Sequence, residues 1–319
     1  MSKINGELRV FSLSSHPDLA NRISDTLEIS RGHIKLSKFS CGELYTRVTE
    51  NIRGHEVYLV QTSTADVNNN VMELLIAIDS CKRASARSVN VIIPHFPYSR
   101  QDKKSDSREP ITARLIANLL EAAGSDRIIT MDLHADQVQG FFNVPVDHLN
   151  SLVLFVKYFR EIIAKKNKDY VVVSPDTGRA KACKKLADKL GVDLAILHKN
   201  RPDHNVSEVL HVIGNVKDKS CILFDDIIDT AGSIQNAYNV LAGHGAKEIY
   251  VAATHAVFSG PAAGRLNACK FKEIVVTNTI PQDPAKKINN LSIIDTVPLF
   301  AEVIKRNHEH RSISELYDI

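Results

Sequence analysis

The stretch that decides the fold spans Lys219–Ser233 and reads KSCILFDDIIDTAGS. Its apolar part, Cys221–Asp225, has the composition of a buried β-strand, and two acids, Asp225 and Asp226, stand at its end. A compact Asp-Thr-Ala-Gly-Ser turn follows, and the apolar spacing predicts a helix over Ser233–Ala242. The segment therefore predicts a strand–loop–helix unit of a parallel sheet, a setting in which ligands bind outside the carboxyl ends of the strands.

The loop of this unit has the chemistry of a phosphate site. Backbone N–H groups at the helix start, with the hydroxyls of Thr230 and Ser233, would hold a phosphate, and Gly232 would let the backbone approach it closely. Asp225 and Asp226 would repel a phosphate, so we expect them to accept hydrogen bonds from two sugar hydroxyls or to contact Mg²⁺ indirectly. The alternative is an acidic turn with a Ser/Thr N-cap, which leaves the full strand–acid–acid–loop–helix pattern unexplained.

Apolar strands alternate with amphipathic helices on both sides of this unit. Such alternation is typical of βαβ units, so the predicted fold class is α/β, with mainly parallel sheets flanked by helices. A length of 319 residues favours two domains. The break is expected near Val146–Ser151, where a turn with Pro and Asn precedes a predicted helix, Leu152–Ile163.

Two other loops that follow predicted strands carry metal-binding side chains. Asp176, after the strand Tyr170–Ser174, has the chemistry of a Mg²⁺ ligand, with amides nearby for a pyrophosphate. The alternative there is a Pro-Asp turn that caps a helix. Asp132 and His134 follow the strand Arg127–Met131 and suit a nucleotide-bound metal, although a single His in such a place is more often structural.

The loop Pro94–Lys104 is rich in aromatic residues and prolines and ends in a cationic tip. Arg100 and Lys103 have the chemistry to clamp a triphosphate, and Gln101 could contact a base or a sugar. A plain charged surface loop is the alternative.

The loop His198–Asn205 is expected to begin after the strand Asp193–Leu197. It carries Lys199 and Arg201, and loops that bring such cations onto a transferring phosphoryl group are a recurring catalytic device. Taken alone, the segment is also compatible with an ordinary basic loop.

Composition narrows the class of protein. Lys and Arg exceed Asp and Glu by 40 − 37 = 3, too small a surplus to indicate nucleic-acid binding. Five cysteines without a CxxC pair favour a reducing compartment, and the absence of an apolar signal core or an 18-residue apolar run predicts a cytoplasmic protein that binds no membrane.

No GxxxxGK[ST] stretch occurs, and no GxGxxG follows a strand, so a nucleotide would be held by other means.

Taken together, these loops resemble those of the phosphate-activated, Mg-dependent ribose-phosphate diphosphokinases, also called phosphoribosyl pyrophosphate synthetases. The matching segments cover nearly the whole chain: Lys38–Glu43, Phe96–Lys104, Met131–Ala135, Gln139–Phe142, Ser174–Asp176, Asp225–Ser233, Thr254–His255, Phe258–Pro261 and Val276–Pro281.

The resemblance implies transfer of the β,γ-diphosphoryl group of ATP to the C1 hydroxyl of ribose 5-phosphate, with release of AMP. It implies two phosphoribosyltransferase-like domains, an ATP-contributing domain at residues 1–149 and a ribose 5-phosphate-binding domain at residues 150–319, whose last residues could pack back on the first domain or a neighbour. It also implies Mg²⁺ as cofactor, inorganic phosphate as activator, and a homo-oligomer, usually a hexamer.

Individual positions follow from the same resemblance. The ATP-binding positions are Phe39, Cys41, Glu43, Arg100, Gln101, Lys103 and His134. The ribose 5-phosphate-binding positions are Arg201, Asp225, Asp226, Asp229, Thr230, Ala231, Gly232 and Ser233. His134 and Asp176 match metal positions, with Asp132 as a further candidate, and Lys199 and Arg201 match the pair that stabilises the transition state.

A few positions depart from the commoner family pattern. Cys41 stands where Asn or Asp is usual, and Arg179 replaces a Gly in the pyrophosphate loop, where it would either contact a phosphate or obstruct one. In the regulatory phosphate site, which lies between subunits, Asn51 stands where Ser is frequent. Arg53, Ser312 and Ser314 match that site.

Two other functions are compatible with parts of the sequence. A catalytically weak regulatory subunit of the same family would explain Cys41 and Arg179, although the metal and catalytic-loop positions are intact. A salvage phosphoribosyltransferase would explain Asp225–Ser233 but leaves Arg100–Lys104 and the first domain unused.

Overall fold

The computed structural model describes residues 7–166, 169–200 and 209–317. The chain divides into two compact units. The first comprises Met1–Asn150, Thr279–Pro281 and Asp295–Ile319, and the second comprises Ser151–Asn278 and Gln282–Ile294. The C-terminal segment therefore belongs to the first unit, whereas the assignment of separate functions to the two domains stays a prediction.

The first unit is built around a parallel sheet of strand order β1-β4-β5-β6-β7. A separate antiparallel hairpin, β2-β3, accompanies it. The elements are β1 (Leu8–Ser12), α1 (Pro17–Thr26), β2 (Ile34–Lys38), β3 (Leu44–Val48), β4 (Glu56–Val60), α2 (Val67–Arg83), β5 (Ser88–Ile93), α3 (Thr112–Ala123), β6 (Arg127–Met131) and β7 (Val146–Leu149).

The second unit has a larger sheet of order β10-β9-β8-β11-β12-β13-β14, parallel except for the antiparallel edge pair β9-β10. Its elements are α4 (Leu152–Lys166), β8 (Tyr170–Ser174), α5 (Ala180–Leu190), β9 (Asp193–Asn200), β10 (Val209–Ile213), β11 (Ser220–Ile228), α6 (Gly232–Gly243), β12 (Glu248–Ala256), α7 (Ala262–Ala268), β13 (Glu273–Thr277) and β14 (Leu291–Ile294). The chain then enters α8 (Val297–His308), which belongs to the first unit.

Alternate residues of the central strands feed two hydrophobic cores in the second unit, as the pleat of a strand requires. Val171 and Val173 of β8 pack with α6 and α7 residues such as Leu241 and Leu266. Val172, between them, packs on the other side with Phe159 of α4 and others from α4 and α5. Helices thus cover both faces of the sheet, and the predicted α/β fold class with mainly parallel sheets is confirmed.

Among the predicted strand ends that differ from the structure, two concern the candidate site. β11 continues to Ile228 instead of ending at Asp225, because β12 pairs with it as far as Ala256. β9 continues to Asn200 instead of ending at Leu197, because β10 returns antiparallel beside it. The turn expected at Val146–Ser151 is in part an edge strand, β7.

The helices of the described ranges fall short of a membrane span, since none is both long enough and apolar enough to cross a bilayer.

Candidate active site

The two acids of the opening stretch lie inside β11. Asp226 is almost fully buried and Asp225 is half-buried, and the Asp226 backbone N–H donates to Asp225 Oδ1 at 2.8 Å. Burial and the neighbouring charge of Asp226 raise the pKa of Asp225 well above its ordinary value. The two acids and their acceptor oxygens are therefore held near the carboxyl end of β11.

The loop after β11 has the backbone geometry of an anion site. Ala231 has a left-handed conformation (φ 59°, ψ 14°), which is uncommon for a residue with a side chain, and α6 begins directly after it. In the part of the chain that the structure describes, no side chain caps the start of α6. The N–H groups of the first helical turn are therefore available to an anion, and Thr230 and Ser233 are exposed beside them.

Two residues that the sequence did not single out individually brace this loop. Arg265 of α7 donates from Nη1 to the Thr230 carbonyl at 3.0 Å. Ser259 donates its hydroxyl to Asp229 Oδ1 and its N–H to the Asp229 carbonyl, the latter at 3.1 Å. Ser259 lies in a family-matching segment, but nothing local in the sequence marks Arg265, because its partner is distant in the chain.

The loop between β8 and α5 is closed by its own hydrogen bonds. Ser174 donates its hydroxyl to the Asp176 carbonyl at 2.6 Å, and Asp176 Oδ1 accepts the Arg179 backbone N–H at 3.0 Å. A side chain at Gly178 would place its Cβ 3.3 Å from Asp176 Oδ1, so a larger residue would crowd that oxygen. Asp176 is thus held by the loop and half-buried.

The side chain of Arg179 lies against the acids of β11. Its Nε is 3.7 Å from Asp225 Oδ1 and 3.9 Å from Asp226 Oδ1. The sequence left open whether Arg179 contacts or obstructs a phosphate, and it did not anticipate this ion pair with the two acids.

In the first unit, Asp132 and His134 follow β6 as predicted. Asp132 has a positive φ of 39°, and its N–H donates to the Leu149 carbonyl at 2.9 Å. The next N–H, of Leu133, donates to His148 Nε2 at 2.9 Å, and burial lowers the pKa of His148. His148, which the sequence did not single out, therefore holds the turn that presents Asp132 and the exposed His134.

The loop after β5 presents Arg100, Gln101 and Lys103 on the surface of the first unit. The Gln101 carbonyl accepts the Ala113 N–H at 3.2 Å, and Gln101 Oε1 accepts the Thr112 hydroxyl at 2.5 Å. The loop is therefore tied to the start of α3.

The β2-β3 hairpin presents the residues Phe39, Cys41 and Glu43. Phe39 is 53% exposed, and its ring packs edge-on against Tyr45 with centroids 5.8 Å apart. The Phe39 N–H donates to the Glu43 carbonyl at 2.8 Å, which closes the hairpin. One face of the ring is thus available for stacking on a flat ligand, and the exposed Cys41 lies at the tip.

The predicted catalytic pair falls at the limit of the described residues. Lys199 lies within β9, where its backbone pairs with Leu210 of β10, and Arg201 lies outside the described residues.

Within the described ranges no group of three or more His, Cys, Asp or Glu side chains is arranged to hold a metal by itself. The donor chemistry still fits Mg²⁺, which prefers oxygen ligands and is commonly bound through one or two carboxylates together with waters and substrate phosphates. Asp132 in the first unit and Asp176 in the second unit are each a carboxylate of this kind.

The positions that match a regulatory phosphate site are only partly brought together. The hydroxyls of Ser312 and Ser314 are hydrogen-bonded to each other at 2.8 Å. Arg53 is exposed before β4, with its N–H donating to Asn51 Oδ1 at 3.1 Å, and no described contact joins it to either serine.

In β11, an acid pair is followed by a helix start without a side-chain cap, and this arrangement has the acceptor and donor groups that a sugar phosphate would need. Two family models match the chain. One, the N-terminal domain of ribose phosphate pyrophosphokinase, covers residues 8–124, and the other, the phosphoribosyl synthetase-associated domain, covers residues 204–318.

Full-length relatives agree with these models. The ribose-phosphate pyrophosphokinase of Bacillus caldolyticus is 48% identical over 100% of both chains, and that of Bacillus subtilis is 48% identical over 97% of both. The crystal structure of phosphoribosylpyrophosphate synthetase from Mycobacterium smegmatis has a TM-score of 0.91 at 44% identity, over 95% of this chain and 99% of that one. The chain belongs to the ribose-phosphate pyrophosphokinase family, which confirms the family and the class of enzyme predicted from the sequence.

Proposed function

We propose that this protein transfers the diphosphoryl group of ATP to the C1 hydroxyl of ribose 5-phosphate, giving 5-phosphoribosyl 1-diphosphate and AMP for nucleotide biosynthesis. The observation that carries the proposal is the end of β11, where buried acids are followed by an uncapped helix start. In a chain of this family, those two features provide acceptors for sugar hydroxyls and donors for a phosphate.

On the acceptor side, the 5-phosphate would bind the N–H groups that begin α6, from Ala231 to Ser233, together with the Thr230 and Ser233 hydroxyls. Asp225 and Asp226 would accept hydrogen bonds from the ribose hydroxyls. Asp229, whose carboxylate already accepts the Ser259 hydroxyl, would hold the loop in shape rather than meet the phosphate.

On the donor side, the Phe39 ring would stack on adenine, and Glu43 and Cys41 would lie near its edge or its ribose. A thiol is a weak hydrogen-bonding group, so Cys41 would contribute little there. Arg100 and Gln101 would bind the nucleotide, with Lys103 in a supporting role.

Asp132, His134 and Asp176 would hold Mg²⁺, the two carboxylates being the better donors for this ion. Bound Mg²⁺ would neutralise charge on the phosphate oxygens of ATP. The protein's own task is to align the C1 oxygen with the β-phosphorus, and the cations of Lys199 and Arg201 would stabilise the charge that develops during transfer.

We also propose that the protein acts as a homo-oligomer in the cytoplasm and that inorganic phosphate activates it, with Arg53, Ser312 and Ser314 as the phosphate-binding residues. Free cysteines at all five positions support a reducing compartment. The Ser312–Ser314 hydrogen bond keeps two hydroxyls together, as a phosphate site requires.

The test is AMP formation by the purified protein from ATP, ribose 5-phosphate and Mg²⁺, with and without added phosphate. We expect turnover in the wild type, a fall of about 10²- to 10⁴-fold in Lys199→Ala, and wild-type rates in the matched control Lys247→Ala, which removes an exposed lysine. Wild-type AMP formation no faster than that of Lys199→Ala would refute an active enzyme and favour a regulatory subunit.

A further inference from the structure

The carboxyl end of β11 projects beyond its neighbour β8. The two strands pair only as far as Leu223 and Val173, and β8 ends one residue later, at Ser174. β11 continues to Ile228 along β12. The edge of β11 that carries Asp225 and Asp226 is therefore flanked on the β8 side by a loop instead of a strand.

Arg179 is the residue by which that loop contacts the projecting edge. Its backbone is fixed on both sides, since its N–H donates to Asp176 Oδ1 at 3.0 Å and its carbonyl accepts the Cys183 N–H at 3.0 Å. Its side chain is only 20% exposed. The guanidinium is therefore directed inward, with Nε at nearly equal distances from the two acids, 3.7 and 3.9 Å.

The negative charges of Asp225 and Asp226 require a positive charge nearby. Adjacent carboxylates repel each other, and the Asp226 side chain is only 5% exposed, so water screens the pair poorly. An uncompensated buried carboxylate takes up a proton and then no longer offers the full acceptor capacity of its ionised form. Burial and Asp226 raise the pKa of Asp225 well above its ordinary value even beside Arg179, which lowers it, so loss of the guanidinium would favour the protonated form further.

We propose that Arg179 is a positioning residue for the sugar, and that it acts as the shared counter-ion that keeps Asp225 and Asp226 together as acceptors for the ribose hydroxyls. This inference rests on the proposed function, because it takes ribose 5-phosphate as the ligand of the acid pair. Arg179 acts through the acids, and its effect should therefore fall on sugar binding rather than on nucleotide binding.

The ion pair leaves the acids able to bind. The Nε distances exceed the 2.7–2.9 Å typical of a charge-assisted hydrogen bond, so the interaction is mainly electrostatic. The contact uses Oδ1 of each acid, and an ionised carboxylate offers about four lone-pair sites. Sugar hydroxyls can therefore donate to Asp225, whose side chain is 17% exposed, without displacing the guanidinium.

The test compares Arg179→Met, Arg179→Gln and Arg179→Lys for the KM of each substrate in the AMP assay. The matched control is Lys184→Met, which removes an exposed cation from α5, the helix that Arg179 directly precedes. In Arg179→Met we expect the KM for ribose 5-phosphate to rise about ten-fold or more, because the buried acids lose their compensating charge. We expect the KM for ATP to stay within about two-fold, Arg179→Lys to recover most of the loss, and the control to match the wild type.

Arg179→Gln keeps length and polarity without the charge, so it gives the same comparison if Arg179→Met does not fold, as judged by thermal melting. An unchanged or lower KM for ribose 5-phosphate in the folded neutral variant would overturn the inference, and a lower value would mean that the guanidinium competes with the sugar. An equal rise in both KM values would also overturn it. If the wild type forms no AMP, the proposed function and this inference both fail. If the wild type is active, the KM comparison tests this inference alone.

Discussion

The loops after β8 and β11 belong to the same kind of strand–loop–helix unit, yet they present opposite chemistry. The loop after β8 closes on itself, since Asp176 accepts the N–H at the start of α5, and it directs a cation onto the neighbouring strand. The loop after β11 is instead braced from outside by Arg265 and Ser259, and in the described ranges neither helix start receives a side-chain hydrogen bond from its N-cap residue.

The difference shows how one fold serves two halves of a substrate. The N–H of Arg179, which donates to Asp176, is not available to an anion, but this hydrogen bond fixes the residue whose side chain reaches the neighbouring strand. In the loop after β11, the contacts from Arg265 and Ser259 are made to a carbonyl and to Asp229, so they leave the N–H groups that begin α6 for the ligand. The phosphate of the sugar would accordingly bind the backbone N–H groups at the start of α6. The sugar's hydroxyls would bind Asp225 and Asp226, whose charge Arg179 compensates.

The largest expected effect comes from the acid pair itself. Asp225→Asn keeps the shape of the side chain but removes the charge and one acceptor oxygen, so kcat/KM for ribose 5-phosphate should fall by roughly 30- to 100-fold, as expected when charge-assisted hydrogen bonds are lost. The measurement is initial-rate AMP formation with the sugar varied. Asp218→Asn, at an exposed acid just before β11, should match the wild type. A change of less than two-fold in Asp225→Asn would mean that the acids do not meet the sugar.

The next effect tests the backbone of the second loop. Ala231→Val places a β-branched side chain at φ 59°, a conformation such residues strongly disfavour, and should raise the KM for ribose 5-phosphate about ten-fold by distorting the start of α6. Ala231→Gly is the control, because glycine adopts this conformation without strain. Equal KM values for the valine and glycine variants would remove the argument for a phosphate site at this helix start.

A smaller effect is expected from the external brace. Arg265→Met removes the hydrogen bond to the Thr230 carbonyl and should raise the KM for ribose 5-phosphate by about three- to ten-fold, the range for one such bond. Arg265→Lys should recover part of it, since a lysine can still reach a carbonyl oxygen. If both variants have the wild-type KM, the loop keeps its shape without help from α7.

The smallest effect on activity should come from an acid that, unlike Asp225, is surrounded by donors. Glu56 of the first unit accepts from the Tyr58 hydroxyl at 2.7 Å and Arg87 at 3.1 Å, and it lies 3.0 Å from His308 Nδ1. Although burial opposes ionisation, the hydrogen bonds from Tyr58 and His308 lower the pKa of Glu56 below its ordinary value of 4.5.

Because the folded-state pKa of Glu56 is depressed, its contribution to stability is present above pH 4.5 and is lost as the pH falls through the folded-state pKa. Glu56→Gln should therefore lower the free energy of unfolding by about 1–3 kcal/mol at pH 7 and flatten its decline below pH 4.5. Denaturant unfolding across pH measures both, and turnover at 25 °C should stay near wild type. The exposed control Glu7→Gln should leave the pH profile unchanged, and a Glu56→Gln profile parallel to wild type would contradict the account.

Much of the fold could be predicted because its strands are buried on both faces. β6 and β8 lie at their predicted bounds, because each is a largely apolar run bounded by polar residues, which marks where the strand begins and ends. The β2-β3 hairpin was missed because its residues alternate between half-buried and exposed, so it lacks such a run.

The site could be predicted only where its chemistry is local. The acids of β11, the turn and the start of α6 are consecutive in the sequence, and the residues of each family motif are also consecutive. Both could therefore be recognised from the sequence alone. The ion pair of Arg179, the support of the Asp132 turn by His148 and the brace from Arg265 all depend on partners far away in the chain. The projection of β11 past β8 likewise depends on pairing with β12, which no local pattern specifies.

The central claim, transfer of a diphosphoryl group to ribose 5-phosphate, is tested most directly by which adenine nucleotide is released. The protein, ATP, Mg²⁺ and ribose 5-phosphate are incubated together, and nucleotides and sugar phosphates are separated by chromatography. We expect AMP and 5-phosphoribosyl 1-diphosphate in equal amounts, and no AMP when the sugar is omitted. Release of ADP instead of AMP, or AMP formation that does not depend on ribose 5-phosphate, would contradict the account.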